Sequence, residues 1–373
     1  MDALLNKLYK IHSHSGKETE MRNFLLGELK NEEVYGKLSV TTDEKGNILI
    51  TKGPGDKSHS FYPCVCAHID QVQSKPLTHV IECDGIVFGY SSKEKSQIGI
   101  GADDKNGIWC ALKLLSKFNS LKVALFVSEE VGCVGSGGVD LNFFTDVMFA
   151  IQADRRGSSD IIFNASGTKI ASQQFEDAIK KLYSARGYKA TSGMTTDVWK
   201  LSSRGIGVSC CNISCGYYEP HTNTEYTILS ELDNCLGLME EIINKVTFRC
   251  PHKSVYTTTY PSTGYTSGYG YNGYSGYSGS QYSSETYTLK WFEDFQKLVY
   301  ALLSEPYLDT LNMSDYYDKH HLKYSQLFGR DYILAQHDAL MLMTGNVGLR
   351  ENDNSKKEGN GSQQLATISD VVL

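Results

Sequence analysis

The chain has 373 residues, 40% hydrophobic and 21% charged, enough to bury one large core or two ordinary ones, which excludes a chain disordered along its length. Its formal net charge of −7 offers no overall positive field to nucleic acid or an anionic membrane. No stretch is apolar for long enough to span a bilayer, and the opening MDALLNKLYKIHSHSG makes a poor signal peptide, so the expected location is cytoplasmic.

In chain order, residues 1–32 predict two short helices with HSHSGK between them. Ser15 and Glu18 are spaced as a capping box for the second. KLSVTTDEKGNILIT reads as two strands joined at Lys45, Gly46 and Asn47. FYPCVCAHID is a nearly continuous apolar run ending in polar residues, the pattern of a buried strand in an α/β sheet. THVIECDGIVFGY adds a strand or two. A helix comes after IGIGADD, with Ile108, Ala111, Leu112 and Leu115 as its apolar stripe. LKVALFVSEE and DVMFAIQAD are further buried strands that end in acids. ASQQFEDAIKKLYSARG is a helix closed by Gly187, GIGVSCCNIS a strand, and LSELDNCLGLMEEIINKV a closing helix. Strands and helices thus alternate from about 60 to 247. The expected fold class is a three-layer α/β/α sandwich with a mostly parallel or mixed central sheet and a C-terminal helical extension. Residues 1–247 form the expected catalytic domain. Residues 248–288 are rich in Tyr, Gly and Ser and lack core aliphatics, as a low-complexity linker does. Phe292, Phe295, Leu298 and Leu302 at helical spacing predict a helical module over 289–350, and 351–373 is a polar tail.

Ten cysteines are many for a chain without disulfides. Cys64, Cys66, Cys83 and Cys110 sit in or beside apolar stretches as inert buried thiols do, zinc-finger spacing is absent, and Cys211 and Cys215 could bridge in an oxidising compartment.

Chemistry in α/β folds gathers at the carboxyl ends of strands, where His68, Asp70, Glu129, Glu130 and Asp154 all fall. His68 and Asp70 are two apart on a strand and share a side, so Asp70 could orient a metal-binding His68 ring; a core histidine beside a turn acid is the alternative. Asp103 could bind or bridge metals while Asp104 caps the next helix, or both could serve the helix start. Of Glu129 and Glu130, one could bind metal and the other take a proton from water, unless both belong to a solvated acidic edge. Asp154, followed by two arginines, is a ligand candidate, or else an ion-pair partner or helix cap. His221, after Pro220 in a loop, is a ligand candidate or a surface histidine. His12 and His14 lack neighbouring acids, and His320 and His321 read as ordinary surface histidines.

AHID, GADDKNG, SEEVGCVGS, the Ala153-Asp154 pair and PHTNTEY, in that order, resemble the dinuclear zinc exopeptidase superfamily, which includes peptidase T-like tripeptidases and the leucyl and glutamyl aminopeptidase-like enzymes. The pieces cover roughly residues 60–225. The resemblance implies that His68 and Asp154 are ligands of one zinc, Glu130 and His221 of the other, Asp103 the bridging carboxylate, Glu129 the general base and Asp70 the acid that orients His68. It implies a pair of divalent ions, expected to be Zn²⁺ with Co²⁺ or Mn²⁺ as alternatives. Tyr217 or Tyr218 could assist the developing oxyanion. Some relatives insert a lid domain between the ligands matched by Asp154 and His221, and others a β-rich domain between those matched by His68 and Asp103. Here only 66 and 34 residues intervene, so a lidless compact form is expected. The function implied is a metal-dependent exopeptidase acting on short peptides, most simply an aminopeptidase. Alternatives are hydrolysis of a non-peptide amide such as an N-acyl amino acid, or a binding protein on the same scaffold. No nucleic-acid or membrane partner is expected, and the C-terminal region could engage a protein partner.

Overall fold

A computed structural model describes residues 1–53, 61–94 and 96–256. Its strands are β1 (Leu38–Thr42), β2 (Ile48–Lys52), β3 (Tyr62–His68), β4 (His79–Cys83), β5 (Ile86–Ser91), β6 (Ser96–Ile98), β7 (Leu121–Phe126), β8 (Val147–Arg155), β9 (Asp160–Ala165), β10 (Thr168–Lys169), β11 (Lys189–Gly193), β12 (Cys210–Ser214), β13 (Tyr217–Tyr218), β14 (Tyr226–Ile228) and β15 (Val255–Tyr256). Its helices are α1 (Ala3–Lys10), α2 (Thr19–Glu28), α3 (Glu32–Tyr35), α4 (Ala102–Lys117), α5 (Val134–Gly138), α6 (Gln173–Ala185), α7 (Asp197–Ser203) and α8 (Leu229–Lys245), with a 3₁₀ turn at Leu141–Phe144.

The main sheet runs β1-β2-β7-β3-β8-β12-β9-β10-β15, with β11 beside β9. Its centre, β7-β3-β8-β12, is parallel and its flanks are largely antiparallel, so the sheet is mixed. β3 is buried at every residue because it has strands on both sides and helices on both faces. Its two-residue period sorts the core. Val65 and Ala67 join one cluster with Leu112 and Leu115 of α4 and Leu238 and Ile242 of α8. Cys64 and Cys66 join another with Val198 and Leu201 of α7 and Phe144. These two cores on opposite faces make the expected α/β/α sandwich. Each fully buried large aliphatic side chain contributes about 1.5–3 kcal/mol.

The alternation of strand and helix is broken in one respect. β13, β14, β5 and β4, with β6 beside β5, form a second, smaller sheet, antiparallel along β13-β14-β5-β4. Asp84 and Gly85, both at positive φ, make the two-residue turn of the β4–β5 hairpin. The 34 residues between His68 and Asp103 are therefore not a plain connection: they build most of the support for the hairpin that carries His221.

Other expectations are corrected. Ser15 does not cap the second helix, whose N-cap is Glu18 without a side-chain cap bond. Ser15 Oγ instead donates to Asp70 Oδ2 at 2.7 Å, since a nearby carboxylate is the stronger acceptor. Cys211 and Cys215 are both free and buried. The main sheet also continues past Thr247, where β15 pairs with β10. The linker beyond residue 256, the helical module, the polar tail, His320 and His321 lie outside the described residues. Among the described residues no helix is long and apolar enough to cross a membrane.

Candidate metal centre

The site grows from the carboxyl ends of β3, β7 and β8, the start of α4, and the β13–β14 loop. His68 is the last residue of β3. Its Nε2 lies 3.0 Å from Asp103 Oδ1 and 3.7 Å from Asp154 Oδ1, while its Nδ1 lies 3.4 Å from Asp70 Oδ1. His221 Nε2 lies 3.0 Å from Glu130 Oε2 and 3.3 Å from Asp103 Oδ2. Asp103 thus turns one oxygen to His68 and the other to His221. His221 sits at φ 64° and is half-exposed, whereas His68 is buried.

Asp103 and Asp104 are joined by a cis peptide, and neither has helical φ/ψ. Asp104 caps the regular part of α4: its Oδ1 accepts from Gly107 N at 3.0 Å, and its Oδ2 accepts from His68 N at 3.1 Å. One acid faces the histidines and the other secures the helix start to the end of β3. A Cβ at position 107 would collide with that carboxylate, which explains the glycine in GADDKNG.

Glu129 and Glu130 are adjacent, and a regular strand would send them to opposite sides. The chain turns instead, with Ser128 at φ 53° and Cys133 at φ 55°. Asp70 anchors this turn. Its Oδ1 accepts from Glu129 N at 2.9 Å, and its Oδ2 accepts from Glu130 N at 3.2 Å. Glu130 then meets His221. Glu129 lies near enough to His68, Asp154 and Asp103 to feel their charges, and its Oε1 accepts a hydrogen bond from the Cys133 thiol at 3.3 Å.

All seven residues singled out in the sequence come together here. Arg155 pairs with Asp160 rather than Asp154, at 2.8 Å. Tyr217 Oη donates to Asp154 Oδ1 at 3.4 Å, whereas Tyr218 Oη is held by Glu231 at 2.7 Å. His12 bonds the Gln73 carbonyl and His14 the Ser15 carbonyl, neither joining the cluster. Sequence reasoning missed Gln152, whose Nε2 donates to Asp154 Oδ2 at 3.0 Å, and Asn212, which bonds both the N–H and the carbonyl of Asp154. It also missed Asp197, buried and accepting from Ser136 Oγ at 2.5 Å. A signal for Gln152 existed: it is a polar residue in an apolar strand, two positions before Asp154 and so on the same side.

The donors fit divalent cations. Two combinations converge closely enough to hold an ion: His68, Asp103 and Glu130; and His68, Asp104 and Asp154. The second combination draws on Asp104, whose oxygens already accept backbone N–H bonds, so Asp103 is the better-placed carboxylate beside His68 and Asp154. Glu130 Oε1 is buried without a hydrogen-bond partner. Among the described residues, the cationic partners of Asp103, Glu130 and Asp154 within 4 Å are His68 and His221 alone. Three acids and two imidazoles suit a pair of divalent ions.

Burial pushes Glu129 and Glu130 up to about 7; burial, then the charge of Asp103, does the same to Asp154. Burial opposes charging His68, yet its bonds to Asp103, Asp154 and Asp70 raise it well above the usual range. Bonds to Asp103 and Glu130 raise His221 to about 11. Burial also opposes charging Asp103, but His221 and His68 hold it far below the usual carboxylate range. A raised group contributes stability below its unfolded pKa and loses it as pH rises through the folded one; the stability from the lowered Asp103 is present throughout this range and is lost only as pH falls into the strongly acid region. The metal-free protein is therefore expected to melt about 5 °C lower at pH 8 than at pH 5.5. Saturating Zn²⁺ should abolish that difference by displacing the protons. Calorimetry at both pH values checks this; an unchanged or higher melting temperature at pH 8 without metal would contradict it.

No known family matches the chain by sequence, and no curated protein does. Solved structures do match. Aminopeptidase PepT from Bacillus cereus ATCC 10987 is 15% identical, covering 65% of this chain and 96% of its own, with a TM-score of 0.55. The chain shares the fold of that structure. A tripeptidase from Staphylococcus aureus subsp. aureus mu50 is 14% identical, with 64% and 96% covered and a TM-score of 0.52. An aminopeptidase from the archaeon Desulfurococcus kamchatkensis is 19% identical, with 66% and 94% covered and a TM-score of 0.50. At such identities the likeness is one of fold. The candidate metal clusters lie at the strand ends of that fold.

Proposed function

We propose that this chain is a metal-dependent exopeptidase acting on short peptides, most simply an aminopeptidase. The observation that carries the reading is Asp103, whose two oxygens each face a separate histidine–carboxylate pair. In this reading His68 and Asp154 hold one ion, Glu130 and His221 the other, and Asp103 spans both. Zn²⁺ suits these nitrogen and oxygen donors, with Co²⁺ or Mn²⁺ as alternatives. Two such ions, when bound, lower the pKa of a shared water and polarise the scissile carbonyl.

Glu129 binds neither ion in this assignment. With burial raising it to about 7, it is poised to accept the water proton and return it to the leaving amine. Asp70 fixes the His68 ring through its backbone carbonyl, 3.1 Å from Nδ1, with its carboxylate at 3.4 Å; that carboxylate also holds the turn bearing Glu129 and Glu130, and Gln152 and Asn212 fix Asp154. Ten buried thiols support a reducing, cytoplasmic setting.

The test is cleavage of a short-peptide panel read by mass. Chelation is expected to lower turnover at least about 100-fold, and added Zn²⁺ or Co²⁺ to restore it. Turnover indifferent to metal would reject the reading. Cleavage of N-acyl amino acids without peptides would replace the substrate class.

A further inference from the structure

Glu225 lies four residues after His221, immediately before β14, and is wholly buried. Its bonds go to other segments of the chain. Oε2 accepts from Gly101 N at 2.7 Å and from Gln73 Nε2 at 3.1 Å; Oε1 accepts from Asp103 N at 3.0 Å. Gln73 Oε1 accepts from Gln71 Nε2 at 3.1 Å, and Gln71 Oε1 from Lys105 Nζ at 2.7 Å. The chain of bonds therefore joins the loop after His68, the turn that presents Asp103, the first turn of α4 and the loop bearing His221. The packing is close. A Cβ on Gly99 would lie 2.5 Å from the Thr222 carbonyl oxygen and 2.5 Å from Gln73 Nε2.

We infer that Glu225 is a positioning residue that sets the distance between His221 and Asp103, and with it the half of the centre that His221 shares with Glu130. This rests on the two-ion reading above. A carboxylate is required because N–H donors approach both of its oxygens. An amide would turn its own NH₂ toward one set of them. The other half, His68 with Asp154, stands on β3 and β8 and is linked to Glu225 through Asp103, whose Oδ1 faces His68.

The test is a Zn²⁺ titration of the metal-free full chain against a chromophoric chelator, for the wild type and Glu225→Gln. Circular dichroism shows that the variant is folded. The wild type is expected to take up two ions. In Glu225→Gln the second ion should bind about 10–100-fold more weakly, and the first, which Glu225 reaches only by way of Asp103, should be much less weakened. Its kcat should fall while KM for a short peptide is largely kept. Gly99→Ala, which pushes the Thr222 segment away from the other side, should weaken the same ion selectively. Wild-type uptake of both ions by Glu225→Gln overturns the inference, as does equal weakening of both, which a general loss of stability would produce. A wild-type chain that binds no second ion overturns it together with the two-ion reading, and the wild-type titration alone tells these failures apart.

Discussion

Glu129→Gln is expected to lower kcat by about 10²–10⁴-fold while leaving two metal ions per chain. Glutamine keeps the shape of the side chain and an oxygen for the Cys133 thiol, now 3.3 Å from Glu129 Oε1. It cannot take a proton from water. Glu129 is not a ligand in the proposed centre, so metal content and KM should scarcely move. Steady-state kinetics beside atomic absorption measure both quantities. Wild-type turnover would exclude Glu129 as the base, and loss of one ion would make it a ligand instead.

Asp103→Ala should have an even larger effect. Among the described residues its carboxylate is the one that pairs with both His68 and His221. Without it the centre falls into two halves with one histidine and one carboxylate each, too few donors for tight binding. Turnover should drop at least about 10⁴-fold. Zn²⁺ at roughly 100 times the wild-type Kd stabilises a folded chain by about 2.7 kcal/mol, and this gain should vanish in the variant. Melting curves with and without Zn²⁺ read it directly. A variant that still gains stability from Zn²⁺ as the wild type does would show that Asp103 does not span the centre.

Much of this architecture is legible in local pattern. The apolar run before His68 marks a strand covered on both faces, and Cys64 and Cys66 alternate with Val65 and Ala67 between two cores as a two-residue period requires. The acids that end β7 and β8 are legible for the same reason. Less was legible where the information is not local. THVIECDGIVFGY shows strands but not which sheet they join; β5 finds its partner in Tyr226–Ile228, far along the chain. The turn that brings Glu129 and Glu130 into one cleft depends on Asp70, which the chain contributes some sixty residues earlier. Ser15 has the spacing of a cap, yet a distant carboxylate claims its hydroxyl. Asn212 and Asp197 carry no motif, because their partners are fixed only when β12 and α7 pack beside β8.

The cysteines have a practical consequence. All ten are buried thiols; the hydrogen bond with Cys64 and then burial push Cys66 well above the usual thiol range, and burial does the same to Cys110, Cys211 and Cys215, with a hydrogen bond to Cys235 adding to the effect at Cys110. Alkylating reagents, which need access to the sulfur, do not reach these buried thiols while the sandwich is closed. Labelling of these sulfurs over time therefore acts as a built-in clock for how often the folded chain opens, with no engineered reporter.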